Sequence, residues 1–97
     1  MLRFINMSAT GLRACDLRGI DLYGATMISA SLEGAVARDA DFTLVDLLGG
    51  NLRNADLRGT LLRDANLSGV DFQGSQLGGV DFGGAFFEYA VMLGDAT

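Results

Sequence analysis

The stretch Cys15–Gly24, CDLRGIDLYG, holds two five-residue segments built on one pattern, and the pattern returns in ADLRG at residues 55–59. In each segment an aspartate precedes a leucine, and a glycine follows that leucine by two places. A period of five fits neither the 3.6-residue period of a helix nor the two-residue period of a strand. The sequence therefore predicts a repeat architecture in which each unit forms one structural element.

The period of five extends along the chain. Every fifth residue from Leu2 to Met92 is apolar, and among these only Ala37 is small. A mostly small residue lies two places before each of them, and ten of the 14 glycines lie two places after one. We therefore expect a short extended segment that points one large and one small side chain inward, followed by a corner that suits glycine. An α-helix would spread these apolar residues around its whole circumference.

The segments ACDLRG, NADLRG and DANLSG resemble the A(D/N)LxX unit of the pentapeptide repeat family, and the resemblance covers residues 1–95. It implies an all-β fold, a right-handed quadrilateral β-helix (a solenoid) with four pentapeptides per coil. Residues 1–97 would form a single domain of about five coils, about 23 Å long at ~4.8 Å per stacked strand. Ala37 would be the thinnest point of the core.

The composition argues against an enzyme. The chain has no histidine, lysine, tryptophan or proline, and it has one cysteine, Cys15, at an inward position. Histidine is the commonest general base and metal ligand, so we expect no catalytic site, no metal and no cofactor. No apolar run has transmembrane length and no leader precedes one, which favours a cytoplasmic protein without membrane contact. The net charge of −5 argues against direct binding of nucleic acid.

The charged residues occupy fixed places in the repeat. All seven arginines directly follow a large inward residue, and seven of the aspartates directly precede one. Four units per coil would align Arg18, Arg38 and Arg58 in a column beside Asp16 and Asp56. The column is either a cationic ridge for an acidic partner or a solvated face with weak surface ion pairs.

The negative charge is concentrated in the last third of the chain, which has no basic residue after Arg63. Its acidic side chains are a candidate surface for a protein partner: Asp64, Asp71, Asp81 and Glu88. The C-terminal coil, about residues 84–97, also places apolar side chains where polar ones are usual. We expect it to act as a cap or as a homodimer interface formed by Phe86, Phe87, Tyr89, Val91, Met92 and Leu93.

A smaller apolar group is expected on the outside of one face, where Ile28 and Leu48 stack with Leu44 and Val45 nearby. It is either a partner site or an ordinary set of exposed apolar side chains.

Two functions are open. The first is a non-catalytic structural or protein-interaction module of the family, with an unidentified partner. The alternative, which the family resemblance implies, is a DNA-mimicking protein that binds topoisomerase (gyrase) and confers quinolone protection. Duplex DNA carries one negative charge per about 1.7 Å, so a mimic of ~23 Å would need about 13 charges. The net charge of −5 falls short of that.

Overall fold

The computed structural model of the chain describes residues 3–91. Within this range single-residue parallel β-bridges alternate with two-residue turns, and neither a helix nor a continuous strand occurs there. Fourteen bridges join residues twenty apart, from Asn6↔Thr26 to Asp71↔Val91. Twenty residues per coil correspond to four pentapeptides, as the family resemblance implies. The described residues measure 29 × 25 × 25 Å along the principal axes.

Backbone hydrogen bonds hold each coil to its neighbours. The Leu47 N–H donates to the carbonyl of Asn66 in the next coil at 2.9 Å, and the Asp46 N–H donates to the carbonyl of Ala25 in the preceding coil at 2.9 Å. The same pattern recurs at each interior unit. Each coil therefore completes the backbone hydrogen bonding of the coil beside it.

A tight turn separates successive units, and its second residue has a positive φ, as a type II turn requires. Glycine supplies this φ at nine turns, with values of 67–74°. The other nine turns have a residue with a Cβ at φ 57–63°: Phe4, Ala9, Ala14, Ser29, Asp39, Leu44, Asn54, Asp64 and Tyr89. The corners are thus less dependent on glycine than the sequence pattern predicts.

The large inward residues form four stacks, and each stack lies behind one outer face. Leu22, Phe42, Leu62 and Phe82 lie behind face 1, and Met7, Met27, Leu47, Leu67 and Phe87 lie behind face 2. Leu12, Leu32, Leu52 and Phe72 lie behind face 3, and Leu17, Ala37, Leu57 and Leu77 lie behind face 4.

The interior is apolar and is buried from Leu22 to Leu77, whereas inward residues of the first and last described coils, such as Met7 and Phe87, are only partly buried. Ala37 is fully buried, and the hydroxyl of the buried Thr60 donates to its carbonyl oxygen at 2.6 Å. The position predicted to be the thinnest point of the core thus accepts a buried hydrogen bond from the Thr60 hydroxyl. No buried side-chain nitrogen or oxygen of the described residues lacks a hydrogen-bond partner. Cys15 lies in the first coil and is only partly buried.

Candidate interaction surfaces

The aspartates that precede the large inward residues cap the turns. The Asp41 Oδ1 accepts a hydrogen bond from the N–H of Thr43, the first turn residue, at 3.0 Å. Within residues 3–91 that N–H has no backbone acceptor at any turn. Asparagine performs the same task, and ten side chains cap in this way: Asn6, Asp16, Asp21, Asp41, Asp46, Asn51, Asp56, Asn66, Asp71 and Asp81.

This role was not predicted from the sequence, where these aspartates were interpreted as surface charges, although all seven of them cap a turn. The signal was present in the alternation of Asp with Asn at the same place, because the two share an Oδ acceptor but not a charge.

The predicted arginine column is aligned on face 4, but two of its three side chains are neutralised. Arg18 binds Asp16 through Nε–Oδ1 at 2.9 Å and Nη2–Oδ2 at 2.7 Å. Arg58 binds Asp56 with the same geometry at 2.8 and 2.7 Å. The hydrogen bonds from Arg18 lower the pKa of Asp16 to about 2, and those from Arg58 lower the pKa of Asp56.

Arg38, in the middle of the column, forms no salt bridge within the described part of the chain. Val36 occupies the place that Asp16 and Asp56 occupy in the neighbouring coils. Arg38 also lines a shallow surface depression with Arg18, Gly19 and Asp39. The column therefore presents one unneutralised guanidinium rather than three.

The four acidic residues of the candidate partner surface are distributed over three faces. Asp81 lies on face 1 near Arg63, with Oδ2 at 3.7 Å from Nε, and Asp71 lies on face 3 near Arg53. Asp64 lies at the corner between face 1 and face 2, with φ 57°. Two of the four carboxylates thus have an arginine partner and also cap a turn.

The residues of the candidate dimer interface differ in exposure. Phe86 is 63% exposed, Tyr89 is 89% exposed, and Val91 is also exposed. Phe87 instead packs against the core, with its ring edge-on to Phe82 at 5.1 Å between centroids. The remaining predicted interface residues, Met92 and Leu93, lie outside the described residues.

Face 2 differs from the other faces in charge. All seven arginines lie on the other three faces. The acidic residues on face 2 are Asp46 and Glu88. Face 2 therefore presents acidic groups without a basic residue among them.

Most of the exposed large apolar side chains lie on face 2 or at its corners. Leu48 lies on the face, 42% exposed, and Leu44 lies at the corner that leads into it, 46% exposed. Ile28 lies one coil before Leu48 in the same column and is half-buried. Val45, expected beside these residues at the surface, is fully buried because it takes the small inward position of its unit. The exposed side chains of face 2 and its corners lie in three places that are two coils apart: Phe4 in the first coil, Leu44 and Leu48 in the third, and Phe86 and Tyr89 in the last described coil. Ile5 is also exposed, but it takes the small inward position of its unit in the first coil.

Neither a metal-ligand group nor a membrane-spanning helix is found among residues 3–91. No three histidine, cysteine, aspartate or glutamate side chains among them are grouped as metal ligands would be. No helix of residues 3–91 has the length and apolar character needed to cross a bilayer.

Comparison with known proteins identifies the repeat. The family model described as pentapeptide repeats matches residues 5–43 and 51–88 with eight copies. No curated protein matches the chain significantly.

Solved structures of pentapeptide repeat proteins share the fold, a right-handed quadrilateral β-helix. Rfr23 from the cyanobacterium Cyanothece 51142 superposes with a TM-score of 0.90 at 30% identity, over 92% of this chain and 61% of that chain. A thylakoid lumen protein of Arabidopsis thaliana gives 0.90 at 27% identity, over 94% and 63%. QnrB1, described as a plasmid-mediated fluoroquinolone resistance protein, gives 0.69 at 23% identity, over 96% and 64%, a likeness of fold alone. The chain thus spans about three fifths of the length of these structures.

Proposed function

The chain belongs to the pentapeptide repeat family, and on this premise we propose that it is a non-catalytic module that binds a protein partner through its outward side chains. One observation carries the proposal: seven large apolar side chains are exposed at outward or corner positions, where they do not contribute to the buried core. Apolar surface that does not support the fold is a common mark of protein contact sites when it is grouped on one part of a molecule.

Photo-crosslinking from each of the four faces tests the proposal. A crosslinking amino acid would replace Thr43 on face 1, Leu48 on face 2, Gln73 on face 3 or Arg38 on face 4, one at a time, in an extract of the source cells. We expect a discrete adduct with another protein from at least one face. The absence of any adduct from all four faces would overturn the proposal.

Self-association through the C-terminal coil is a second part of the proposal. The exposure of Phe86 and Tyr89 supports it, because apolar surface at the end of a solenoid is usually capped or paired. Phe87 of that coil packs edge-on against Phe82, which connects the coil to the core.

A topoisomerase is a narrower candidate for the partner, and the acidic side chains weigh against it. Many of them cap turns or pair with arginine, so they do not form one continuous negative face. We expect no inhibition of gyrase supercoiling, and no protection from a quinolone, up to tens of micromolar protein.

The control for the gyrase assay changes Asp64, Asp71 and Asp81 to Asn. This variant removes three charges while each turn cap keeps its Oδ acceptor. Inhibition that depends on protein concentration and that this variant loses would establish the topoisomerase candidate.

A further inference from the structure

We propose that face 2 is the docking surface and that its partner is a protein segment whose apolar side chains are flanked by lysine or arginine. This inference rests on the proposed function and specifies the face and the chemistry of the partner. Three properties of face 2 support it: strained corners, exposed apolar side chains and unopposed acidic charge.

Among the described residues, the corners of face 2 carry the bulky residues at positive φ. Leu44, at the corner between faces 1 and 2, has φ 61°, and Tyr89, at the corner between faces 2 and 3, has φ 63°. Phe4, with φ 58°, shares the corner of Leu44, but its ring packs edge-on against Tyr23 of face 1. A left-handed conformation costs a residue with a Cβ about 1–2 kcal/mol. The other six strained corners have residues that are small or whose short side chains tolerate this conformation. Bulky side chains at positive φ are uncommon and point to a role beyond the turn itself.

The exposed side chains of face 2 lie over a core that does not need them. Leu47 lies directly behind the face between Leu44 and Leu48, and it is fully buried. Polar residues occupy equivalent surface positions in other coils, with Ser8 and Ser68 in the column of Leu48. The fold is therefore compatible with serine in this column, so Leu48 adds apolar surface that the fold does not require.

The charge of face 2 selects the partner. Asp46 and Glu88 lie on the face without an arginine, and Asp64 lies at its leading corner. The Asp46 Oδ1 accepts hydrogen bonds from Leu48 N–H and Asn66 Nδ2, both at 3.2 Å, and it has no salt bridge within the described residues. Basic side chains at the rim of a partner would complement these carboxylates.

A second copy of the chain is a poorer occupant of the middle of face 2, around Leu44 and Leu48, than a separate protein, whereas Phe86 and Tyr89 at the C-terminal end of the face belong to the proposed dimer contact. Six of the seven arginines already pair with acidic residues of their own chain. Within residues 3–91, Arg38 is the one arginine without such a pair and could approach face 2 of another copy. Docking through the other arginines would share each guanidinium between a carboxylate of its own chain and face 2, which weakens its attraction to face 2.

A titration with two designed peptides tests the inference. The first is an 18-residue amphipathic peptide of leucine and lysine, and the second has glutamate in place of lysine. Binding is followed by amide chemical shifts of the labelled protein, which report the face that is contacted. We expect the lysine peptide to shift face 2 and its corners, to bind at least tenfold more tightly than the glutamate peptide, and to weaken with added salt.

Two variants locate the contact. Leu44→Asn with Leu48→Ser removes apolar surface from face 2, with residues found at equivalent positions elsewhere in the chain. Leu61→Asn removes an exposed leucine from face 1 as the matched control. We expect at least a tenfold loss of affinity for the lysine peptide in the first variant and an unchanged affinity in the second.

Shifts centred on face 1, 3 or 4, equal losses in the two variants, or equal binding of both peptides would overturn the inference. The proposed function would survive that result if photo-crosslinking from another face captured a partner. It would fail separately if no face gave an adduct.

Discussion

Corner side chains constrain the corner one coil further along. Asp39, at positive φ, places its Oδ1 against the Gly59 backbone, where a Cβ would overlap it. Asn54 and Asp64 make the same approach to Gly74 and Gly84. Glycine at such a corner serves two purposes, since it tolerates the turn and leaves room for the side chain beneath.

Gly59→Ala should therefore destabilise the protein more than Gly34→Ala. Both residues have a positive φ, 74° and 71°, but a Cβ at Gly34 meets nothing within 4 Å. We expect Gly34→Ala to lower the free energy of unfolding by about 1 kcal/mol from backbone strain. Gly59→Ala should lower it by about 0.5–1 kcal/mol more, because the exposed Asp39 side chain must leave its present rotamer.

Chemical denaturation of the two variants measures this difference. Gly59→Ala in an Asp39→Ala background is the control, since removal of the carboxylate should abolish the extra loss. Equal destabilisation by Gly34→Ala and Gly59→Ala would contradict the account of these corners.

At the scale of the structural elements, substitutions at a turn cap separate the contribution of the hydrogen-bond acceptor from that of the charge. Asp41 caps Thr43 and has no salt bridge within the described residues. Asp41→Asn should leave stability nearly unchanged because the amide oxygen still accepts the bond. Asp41→Ala should lower the free energy of unfolding by about 0.5–2 kcal/mol, as loss of a helix N-cap does. Equal losses in the two variants, measured by thermal unfolding, would show that charge and not the acceptor matters.

The ion pair on face 4 makes a pH-dependent prediction. Hydrogen bonds from Arg18 lower the pKa of Asp16 to about 2 from the ordinary value of about 3.9. A lowered folded-state pKa means that the stabilisation is fully present above about pH 4 and is lost as pH falls through about 2.

A carboxyl NMR titration of Asp16 measures this pKa. In Arg18→Gln the pKa should rise toward its ordinary value, although the backbone N–H of residue 18 still donates to Asp16. An unchanged pKa in that variant would contradict the ion pair.

Much of the fold could be predicted from the sequence, because the inward residues repeat every five positions without a break. The alternation placed Leu47 and Val45 inside, although Val45 was also assigned, wrongly, to a surface group. The caps were not predicted, because the aspartates before the large inward residues were interpreted as surface charges, although the alternation of Asp with Asn at that place indicates a shared Oδ acceptor. The absence of arginine from face 2 could have been predicted from the same twenty-residue alignment that places Arg18, Arg38 and Arg58 in one column. The number of coils, predicted as about five, depends on chain ends outside the described residues and stays a prediction.

At the scale of the whole molecule, the C-terminal coil makes a prediction about self-association. Phe86→Ser with Tyr89→Gly removes its two most exposed rings, and Tyr89→Gly also relieves a strained corner. Sedimentation equilibrium should show a dimer for the unmodified chain and a weakened dimer for this variant. Leu61→Asn on face 1 is the control and should leave the dimer intact. A monomer in the unmodified chain across micromolar concentrations would remove the dimer from the proposal.

The faces of the molecule have different roles in this account. Faces 1, 3 and 4 carry arginines that mostly pair with acidic residues of the same chain, as in Arg58–Asp56 and Arg3–Asp21. Face 2 carries apolar groups and acids that the fold leaves without basic partners. The cytoplasmic location predicted from the sequence remains a prediction.

The most direct test of the docking face compares three immobilised proteins as bait in an extract of the source cells: the unmodified chain, Leu44→Asn with Leu48→Ser, and Leu61→Asn. Quantitative mass spectrometry would measure what each retains. We expect a partner with an apolar, basic segment that the unmodified chain and Leu61→Asn retain equally and that the face 2 variant loses at least tenfold. Equal retention by all three proteins, or a loss confined to Leu61→Asn, would contradict it.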